Sequence, residues 1–262
     1  MERRETAHKG LLALKVLNVK HWTEKTFSFS LERPKSLRFR SGEFVMIGLE
    51  NGDKPLMRAY SIASPSWSEN LEFYSIKVQD GPLTSKLQNL KSGDQVLIRP
   101  KPVGTLVLDA LLPANRLVLF STGTGIAPFA SVIRDPETYL RFSEVILTQT
   151  CRYNEELEFG KSLIAEIMSD ELLQEFVGTK LSLISTTTRE SSKLMGRLTD
   201  WLDDNRFAEY TGNALDLLSD RVMICGSMEM LLDHKKICES LGMNEGSNSE
   251  PGHFVIEKAF VD

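Results

Sequence analysis

The sequence has no long apolar run. Within its 262 residues, no stretch approaches the roughly 20 apolar residues that a helix needs to cross a bilayer. The first residues, Met1 to Glu5, are mostly charged and lead into no apolar segment, unlike a secretory signal. We therefore expect a cytoplasmic protein with no membrane partner.

Cysteine and histidine are also scarce, and acidic residues outnumber basic ones. The three cysteines, Cys151, Cys225 and Cys238, form no C-x2-C pair, which excludes a cysteine-ligated iron–sulfur cluster or zinc ribbon within the chain. The four histidines show no metal-ligand spacing, so we expect no metal site. The net charge of −5 argues against nucleic acid as a partner. Any redox cofactor must therefore be held by groups other than thiolates.

The first half of the sequence has the pattern of short β-strands. Residues 27–31 alternate apolar with polar side chains, which is the period of a half-buried strand. Turn-forming runs such as Asn51-Gly52-Asp53 and Ser92-Gly93-Asp94 separate the candidates. The predicted strands span residues 11–19, 26–31, 43–49, 59–63, 71–78, 95–99 and 105–108, with a brief helix at 85–90. Frequent short strands favour an antiparallel β-barrel over residues 1–112.

The second half alternates continuous apolar strands with helices. The predicted strands are residues 117–120, 145–148, 181–185, 222–225 and a last one from residue 254, with helices such as 155–168 and 228–241 between them. This order indicates βαβ units around a parallel sheet that is buried on both faces. We therefore predict a second, Rossmann-like α/β domain over residues 113–262. Because no linker separates the halves, they should pack directly together, in a protein expected to be a monomer.

Two segments of the first half have the chemistry of a phosphate-containing cofactor site. In the run from Arg58 to Ser61, the arginine can pair with a pyrophosphate, Tyr60 can stack on a flat ring from the same side of the strand, and Ser61 can donate a hydrogen bond. The turn from Asp80 to Ser85 opens into a helix, whose free N–H groups favour a phosphate. A solvated strand face and an ordinary helix cap are the alternatives.

The second half has a glycine-rich loop and three arginines at strand ends. The run from Ser121 to Gly125 follows an apolar strand and precedes a helix, where the backbone can approach a pyrophosphate, although Pro128 stands where a full G-x-G-x-x-G would have its third glycine. Arg152, Arg189 and Arg197 lie near the carboxyl ends of predicted parallel strands, where ligands of open α/β sheets bind. A plain turn and solvated arginines remain the alternatives. No acidic residue occupies residues 185–189, which disfavours NAD.

Four motifs in order give the chain a family resemblance. The runs Arg58–Pro65, Phe73–Val78, Gly81–Ser85 and Thr122–Phe129 resemble those of the ferredoxin–NADP+ reductase family, most of all its bacterial members. The resemblance covers nearly the whole chain, to the run from Glu257 to Phe260. It implies FAD bound to the barrel and NADP(H) bound to the α/β domain.

The resemblance also implies a role for individual residues. Ser61 would lie beside the flavin N5, Cys225 would help hold the nicotinamide ring, and Glu257 would relay a proton, which makes these three the catalytic residues. The residues that would contact FAD are Arg58, Ala59, Tyr60, Ser61, Tyr74, Ile76, Lys77, Val78, Leu83, Thr84, Ser85, Thr124, Ala259 and Phe260. Those that would contact NADP(H) are Thr122, Gly123, Gly125, Arg152, Thr188, Arg189 and Arg197, with Arg189 and Arg197 on the 2′-phosphate and Arg152 assisting.

The implied function is an FAD-dependent oxidoreductase that exchanges hydride with NADP(H) and single electrons with ferredoxin or flavodoxin. Such carriers are generally acidic, so a basic rim is expected near the flavin, with Lys86, Lys91, Arg99 and Lys101 as candidates. Two alternatives stay open: the reductase component or electron-transfer subunit of a larger oxygenase or dehydrogenase system, and a non-enzymatic flavin-bound redox sensor.

Overall fold

Antiparallel strands build the first half of the molecule in the computed structural model, which describes His8 and residues 10–258. Six of the described strands form one sheet, in the order β4-β3-β6-β1-β2-β5. Its two outer strands approach each other where the Ala63 N–H donates to the Glu72 carbonyl at 2.7 Å, which gives the sheet a barrel-like shape. The strands are β1 Leu12–His21, β2 Thr26–Glu32, β3 Phe44–Leu49, β4 Leu56–Ser61, β5 Asn70–Ile76 and β6 Gln95–Val103. The predicted antiparallel architecture is confirmed.

Strand alternation places an aromatic core inside this sheet. On β2, Phe27, Phe29 and Leu31 are buried while the residues between them are partly exposed. Phe29 stacks on Phe73 of the neighbouring β5 with ring centroids 5.2 Å apart. Each such side chain contributes roughly 1.5–3 kcal/mol to folding through its burial. The alternating pattern of residues 27–31 therefore corresponds to one face of β2 that packs in the core of the barrel.

The predicted strand at residues 105–108 is wrong. Gly104 has φ +142°, a conformation that favours glycine, and there the chain leaves the sheet. A short 3₁₀ turn follows at Leu108–Ala110. Leu106 and Val107 are fully buried in the core of the second half rather than paired in the barrel. Their apolar pattern therefore reflects packing between the halves. The predicted helix 85–90 is a single turn, α1, at Thr84–Leu87.

Between residues 113 and 258, five parallel strands form the second sheet, as predicted, in the order β11-β10-β7-β8-β9. The strands are β7 Arg116–Thr122, β8 Glu144–Cys151, β9 Leu181–Thr187, β10 Asp220–Gly226 and β11 Phe254–Lys258. The helices are α2 Ile126–Val132, α3 Pro136–Arg141, α4 Glu158–Ser169, α5 Glu171–Val177, α6 Leu198–Asp203, α7 Arg206–Thr211 and α8 Met228–Ser240. Every residue of β10 is buried, which explains the continuous apolar run from Val222 to Cys225.

The strand order reverses between β7 and β10. The chain runs from β7 to β8 and β9 on one side, and then returns to add β10 and β11 on the other. In open α/β sheets the crevice at the carboxyl ends of the strands beside such a reversal is where ligands bind. The loops that follow β7 and β10 are therefore placed for ligand binding.

The two halves are joined by hydrogen bonds around the end of α2. The Ser131 hydroxyl donates to the Ser64 carbonyl at 2.7 Å, and the Arg134 guanidinium donates to the Ala63 carbonyl and the Glu72 carboxylate, both at 2.7 Å. The Ser41 hydroxyl donates to Asp135 at 2.6 Å. The predicted boundary at residues 112–113 falls in the connection before β7. None of the helices between residues 10 and 258 has the length and apolar character to cross a membrane.

Candidate active site at the junction of the two halves

A cleft of about 370 Å³ opens at the carboxyl ends of β7, β8 and β10. Its sheet side includes Thr122, Gly123 and Thr124. Its barrel side is formed by Lys25 and Ile76. The structure thus brings the predicted glycine-rich loop into contact with a cavity that reaches the barrel.

The glycine-rich loop depends on its two glycines for different reasons. Gly123 has φ +54°, which is unfavourable for other residues. A Cβ on Gly125 would lie 2.2 Å from the carbonyl oxygen of Cys225, so only glycine allows this approach of the loop to β10. The Thr122 hydroxyl accepts a hydrogen bond from the Ser227 N–H at 3.3 Å. The loop is therefore held at the point where the strand order reverses.

Two of the three predicted arginines line the cleft, together with Thr188. Arg152 follows β8, and Arg197 precedes α6. Arg189 is exposed, and its backbone N–H donates to the Arg152 carbonyl at 3.1 Å, which links the two loops. The loops that end β8 and β9 are thus adjacent, as the parallel topology predicted.

Two acidic residues that the sequence did not predict, Glu229 and Asp233, line the cleft together with these arginines. Arg197 donates to the Glu229 carboxylate at 3.2 Å, and both side chains are exposed. Asp233 also lines the cleft. Both acids belong to α8, not to the strand end at residues 185–189. The helix predicted after Cys225 and Gly226 carries both acids, and it is the sequence feature from which their position could have been predicted.

His234 is a further cleft residue that the sequence did not predict. Burial lowers its pKa to about 4, so the ring is neutral at physiological pH. Its Nδ1 donates to the Met230 carbonyl at 2.9 Å, and the ring packs against Phe120 at 4.6 Å. His234 therefore shapes the cleft without adding positive charge.

Strand β4 carries the predicted flavin residues in alternation. Arg58 and Tyr60 point to one side of the strand and Ala59 to the other, and all are half-buried. The hydroxyls of Tyr60 and Ser75 lie 3.2 Å apart, and the Tyr60 ring makes T-shaped contacts with the rings of Phe29 and Phe73. Burial raises the pKa of Tyr60. Ser61 ends the strand, half-buried. A ring with a fixed orientation thus lies beside a cationic fork and a hydroxyl.

The FAD-binding residues predicted on β5 and directly after it lie in different places. Ile76 lines the cleft, whereas Lys77 donates its Nζ to the Thr23 carbonyl at 2.9 Å, and Val78 is exposed. Tyr74 is only 4% exposed and stacks on Phe159 of α4, with centroids 3.9 Å apart and planes 7° from parallel. The structure therefore places Tyr74 inside the junction of the halves, apart from the cleft.

The turn after β5 folds back on itself. The Thr84 hydroxyl donates to the Val78 carbonyl at 3.4 Å, and the Ser85 N–H donates to the Gly81 carbonyl at 3.1 Å. Leu83 is 2% exposed and packs in the barrel core, which leaves mainly its backbone for a ligand. Neither Thr84 nor Ser85 caps the single turn of α1 through its side chain.

Cys225 and Glu257 pair across β10 and β11 at the junction with the barrel. Burial is the main cause that raises the pKa of Glu257 to about 8; a hydrogen bond from the Thr105 backbone opposes it, and the nearby Glu43 adds to it. Burial, and then Glu257, raise the pKa of the Cys225 thiol, so it stays protonated. Among the described residues, Oε2 of Glu257 has no hydrogen-bond partner. A neutral acid with a spare oxygen therefore lies where the halves meet.

The remaining predictions concern the C-terminus and metals. Ala259 and Phe260 lie outside the described residues. Over the part of the chain that is described, no group of His, Cys, Asp and Glu is arranged to hold a metal ion.

Comparison with known proteins shows relatives that match almost the whole chain. The oxidoreductase FAD-binding domain family matches residues 14–107. A flavodoxin/ferredoxin–NADP reductase of Rhodobacter capsulatus is 56% identical over 248 residues, which cover 94% of this chain and 92% of the relative. A ferredoxin–NADP reductase of Azotobacter vinelandii is 47% identical, over 95% of this chain and 97% of the relative. The crystal structure of a ferredoxin NADP+ reductase from Neisseria gonorrhoeae with bound FAD and NADP superposes with a TM-score of 0.87 at 31% identity, over 97% of this chain and all of that one.

Proposed function

The chain belongs to the ferredoxin–NADP reductase family, and from that membership we propose that it is an FAD-dependent oxidoreductase that exchanges hydride with NADP(H) and single electrons with ferredoxin or flavodoxin. The observation that carries the proposal is the cleft at the strand reversal. It lies between a nucleotide loop on one half and barrel residues on the other.

The barrel residues fit a flavin. Arg58 would pair with the FAD pyrophosphate, Tyr60 would stack on the ring system, and Ser61 would donate a hydrogen bond to it. The spare Oε2 of Glu257 would find its partner there. When bound, FAD supplies the chemistry that this chain lacks, because it accepts hydride and releases electrons one at a time.

The loops of the sheet fit NADP(H). Thr122 and Gly123 would bind the diphosphate, and Thr188, Arg152 and Arg197 would hold the 2′-phosphate, with Arg189 at the rim. Arg197 is already paired with Glu229, so the 2′-phosphate has to replace a carboxylate.

The contribution of the protein to hydride transfer is orientation. Cys225 stays a neutral thiol, since burial raises its pKa, and acts by packing against the nicotinamide rather than as a nucleophile. Glu257 holds a proton at neutral pH because its pKa is about 8, and it can deliver that proton through its carboxyl group.

Charge distribution supports a carrier docked on the barrel. Residues 1–112 contain 17 Lys and Arg against 12 Asp and Glu, whereas residues 113–262 contain 14 against 24. The candidate rim residues Lys86, Lys91, Arg99 and Lys101 are all exposed on the basic half. An acidic carrier is attracted to that half and repelled from the other.

The visible spectrum of the purified protein and its turnover test the proposal. We expect flavin absorbance and continuous reduction of added ferredoxin or flavodoxin, faster with NADPH than with NADH. A protein that takes up no flavin contradicts the proposal, and one that is reduced once by NADPH without passing electrons on is the sensor. A subunit of a larger system would need an additional cluster-containing partner for turnover.

Two further predictions have their own tests. Gel filtration tests the expected monomer, and cell fractionation tests the cytoplasmic location.

A further inference from the structure

The hairpin between β1 and β2 is a rigid projection of the barrel. The Trp22 N–H donates to the Thr26 carbonyl at 3.0 Å, and the Thr23 hydroxyl accepts from the N–H groups of Lys25 and Thr26 at 2.9 and 3.0 Å. The Lys77 N–H donates a hydrogen bond to the Lys25 carbonyl at 2.6 Å, which also holds the hairpin in place. The backbone of Lys25 is therefore fixed before any ligand binds.

The side chain of Lys25 crosses to the other half of the molecule. Its Nζ lies 3.6 Å from Oε1 of Glu156 and 4.5 Å from the centre of the Tyr153 ring. The lysine side chain is 46% exposed and faces the cleft that Gly123 lines from the opposite side. Among the described residues that line this cleft, Lys25 is the one cation that the barrel supplies.

The cleft has no surplus of positive charge. Three cations line it, Lys25, Arg152 and Arg197, and three acids line it as well: Glu156, Glu229 and Asp233. The neutral His234 changes nothing in this balance. NADP(H) brings a diphosphate and a 2′-phosphate into the same space. Lys25 and Arg197 can bind these anions well only if they exchange their carboxylate partners, Glu156 and Glu229, for phosphate.

We propose that Lys25 binds the diphosphate of NADP(H) from the barrel side, opposite the Gly123 loop, and that its pair with Glu156 is the resting contact. This inference rests on the proposed function. The resting contact is loose, because Nζ and Oε1 lie 3.6 Å apart and the lysine side chain is 46% exposed, so it contributes little and is readily exchanged. A phosphate oxygen accepts a charge-assisted hydrogen bond from the same ammonium group. NADP(H) is thereby held by both halves at once.

Glu156 keeps its structural role when Lys25 leaves it. Its other oxygen, Oε2, accepts from the N–H groups of Arg152 and Tyr153 at 2.9 and 3.1 Å. The turn that carries Arg152 is therefore fixed with or without Lys25. The exchange of Lys25 to phosphate leaves no buried carboxylate without partners.

Lys25→Gln in the FAD-loaded protein tests the assignment, with Lys20→Gln as the matched control. Lys20 is a cation of the same hairpin, but it lies over the Trp22 ring at 3.5 Å, away from this cleft. Two probes are titrated against the flavin spectrum: NADP+, and adenosine 2′-phosphate, which has no diphosphate. We expect Lys25→Gln to weaken NADP+ binding about tenfold and to leave adenosine 2′-phosphate binding unchanged. Lys25→Arg should retain most of the affinity, and Lys20→Gln should retain all of it.

Three results would overturn the assignment. The first is unchanged NADP+ binding in Lys25→Gln, and the second is an equal loss for both probes, which indicates general distortion. The third comes from Glu156→Gln: if Lys25 only clamps the halves, this variant should lose NADP+ affinity as Lys25→Gln does, whereas release of Lys25 should maintain or tighten binding. A wild-type protein that binds neither probe contradicts the proposed function instead.

Discussion

The two halves of the molecule present their candidate ligand-binding groups in different ways. The barrel uses side chains of one continuous strand, where Arg58 and Tyr60 share a side through the period of two. The sheet uses a loop after its strand β7, where the backbone of Gly123 lines the cleft and Gly125 lets the loop approach β10. Side chains on a strand are identified by alternation, whereas a backbone site is identified by its glycines. The candidate ligand-binding groups of the two halves are therefore identified by different sequence patterns.

Glu257 is where this comparison breaks down, because it belongs to the sheet but is buried against the barrel. With a pKa of about 8 in place of its ordinary 4.5, the folded protein binds an extra proton between these pH values. Stability is then fully present below pH 4.5 and is lost as the pH rises through 8, by an amount on the order of a few kcal/mol. We expect Glu257→Gln to remove this slope in urea unfolding measured from pH 5 to 8. Glu69→Gln, at an exposed position of the barrel, should keep it; a slope unchanged in Glu257→Gln would place the titrating group elsewhere.

Removing the aromatic ring of the barrel strand should have the next largest effect. Stacking on an aromatic side chain contributes about 1–3 kcal/mol per base, and we carry this range over to the flavin ring. Tyr60→Ala should therefore release FAD roughly ten- to a hundredfold more readily, as measured by the recovery of flavin fluorescence. Tyr60→Phe is the control, because it keeps the ring and loses only the contact with Ser75. A fully yellow and active Tyr60→Ala protein would remove the ring from the site.

The sheet half should respond through its charges. Arg197→Ala should raise the KM for NADPH about tenfold and leave that for NADH nearly unchanged, since a charge-assisted hydrogen bond to the 2′-phosphate is lost. Arg189→Ala should show a smaller effect, because Arg189 lies at the rim rather than in the lining. The ratio of kcat/KM for the two nucleotides reports both. Equal losses for NADPH and NADH would mean that Arg197 does not contact the 2′-phosphate.

The smallest effect is expected at Glu229, and it has the opposite sign. Glu229→Gln removes the carboxylate that occupies Arg197, so the KM for NADPH should fall about two- to threefold, the range of an exposed ion pair. Glu239→Gln, an exposed position on the same helix, should change nothing. A rise in the KM for NADPH would show that Glu229 helps to place Arg197 rather than competing for it.

Local patterns predicted most of the fold. Strand alternation in the barrel and apolar runs in the sheet depend on neighbours a few residues away, and both predicted architectures were confirmed. The failure at residues 105–108 has the opposite origin. Leu106 and Val107 are apolar because the second half packs on them, and a local pattern cannot distinguish this from a strand.

The site was only partly predictable for the same reason. The glycine-rich loop, Arg152 and Arg197 follow motifs and strand ends, and the structure brings them to one cleft. Tyr74 is directed by Phe159, which lies far along the chain, so its orientation had no local signal. Lys25 reaches the cleft through tertiary contacts alone, since its partner Glu156 belongs to the other half. Residues that are defined by a partner from the other half need the folded structure.

Helix α2 connects the two candidate sites mechanically. It begins directly after Gly125, and its end is bonded to the barrel loop through Ser131 and Arg134, just beyond Ser61. Its seven residues span roughly 10 Å at 1.5 Å each. The helix therefore sets the distance between the glycine-rich loop and the end of strand β4. One residue more would turn these anchors by about 100° around the helix axis. The distance between the glycine-rich loop and the end of strand β4 therefore depends on the length of this one short helix.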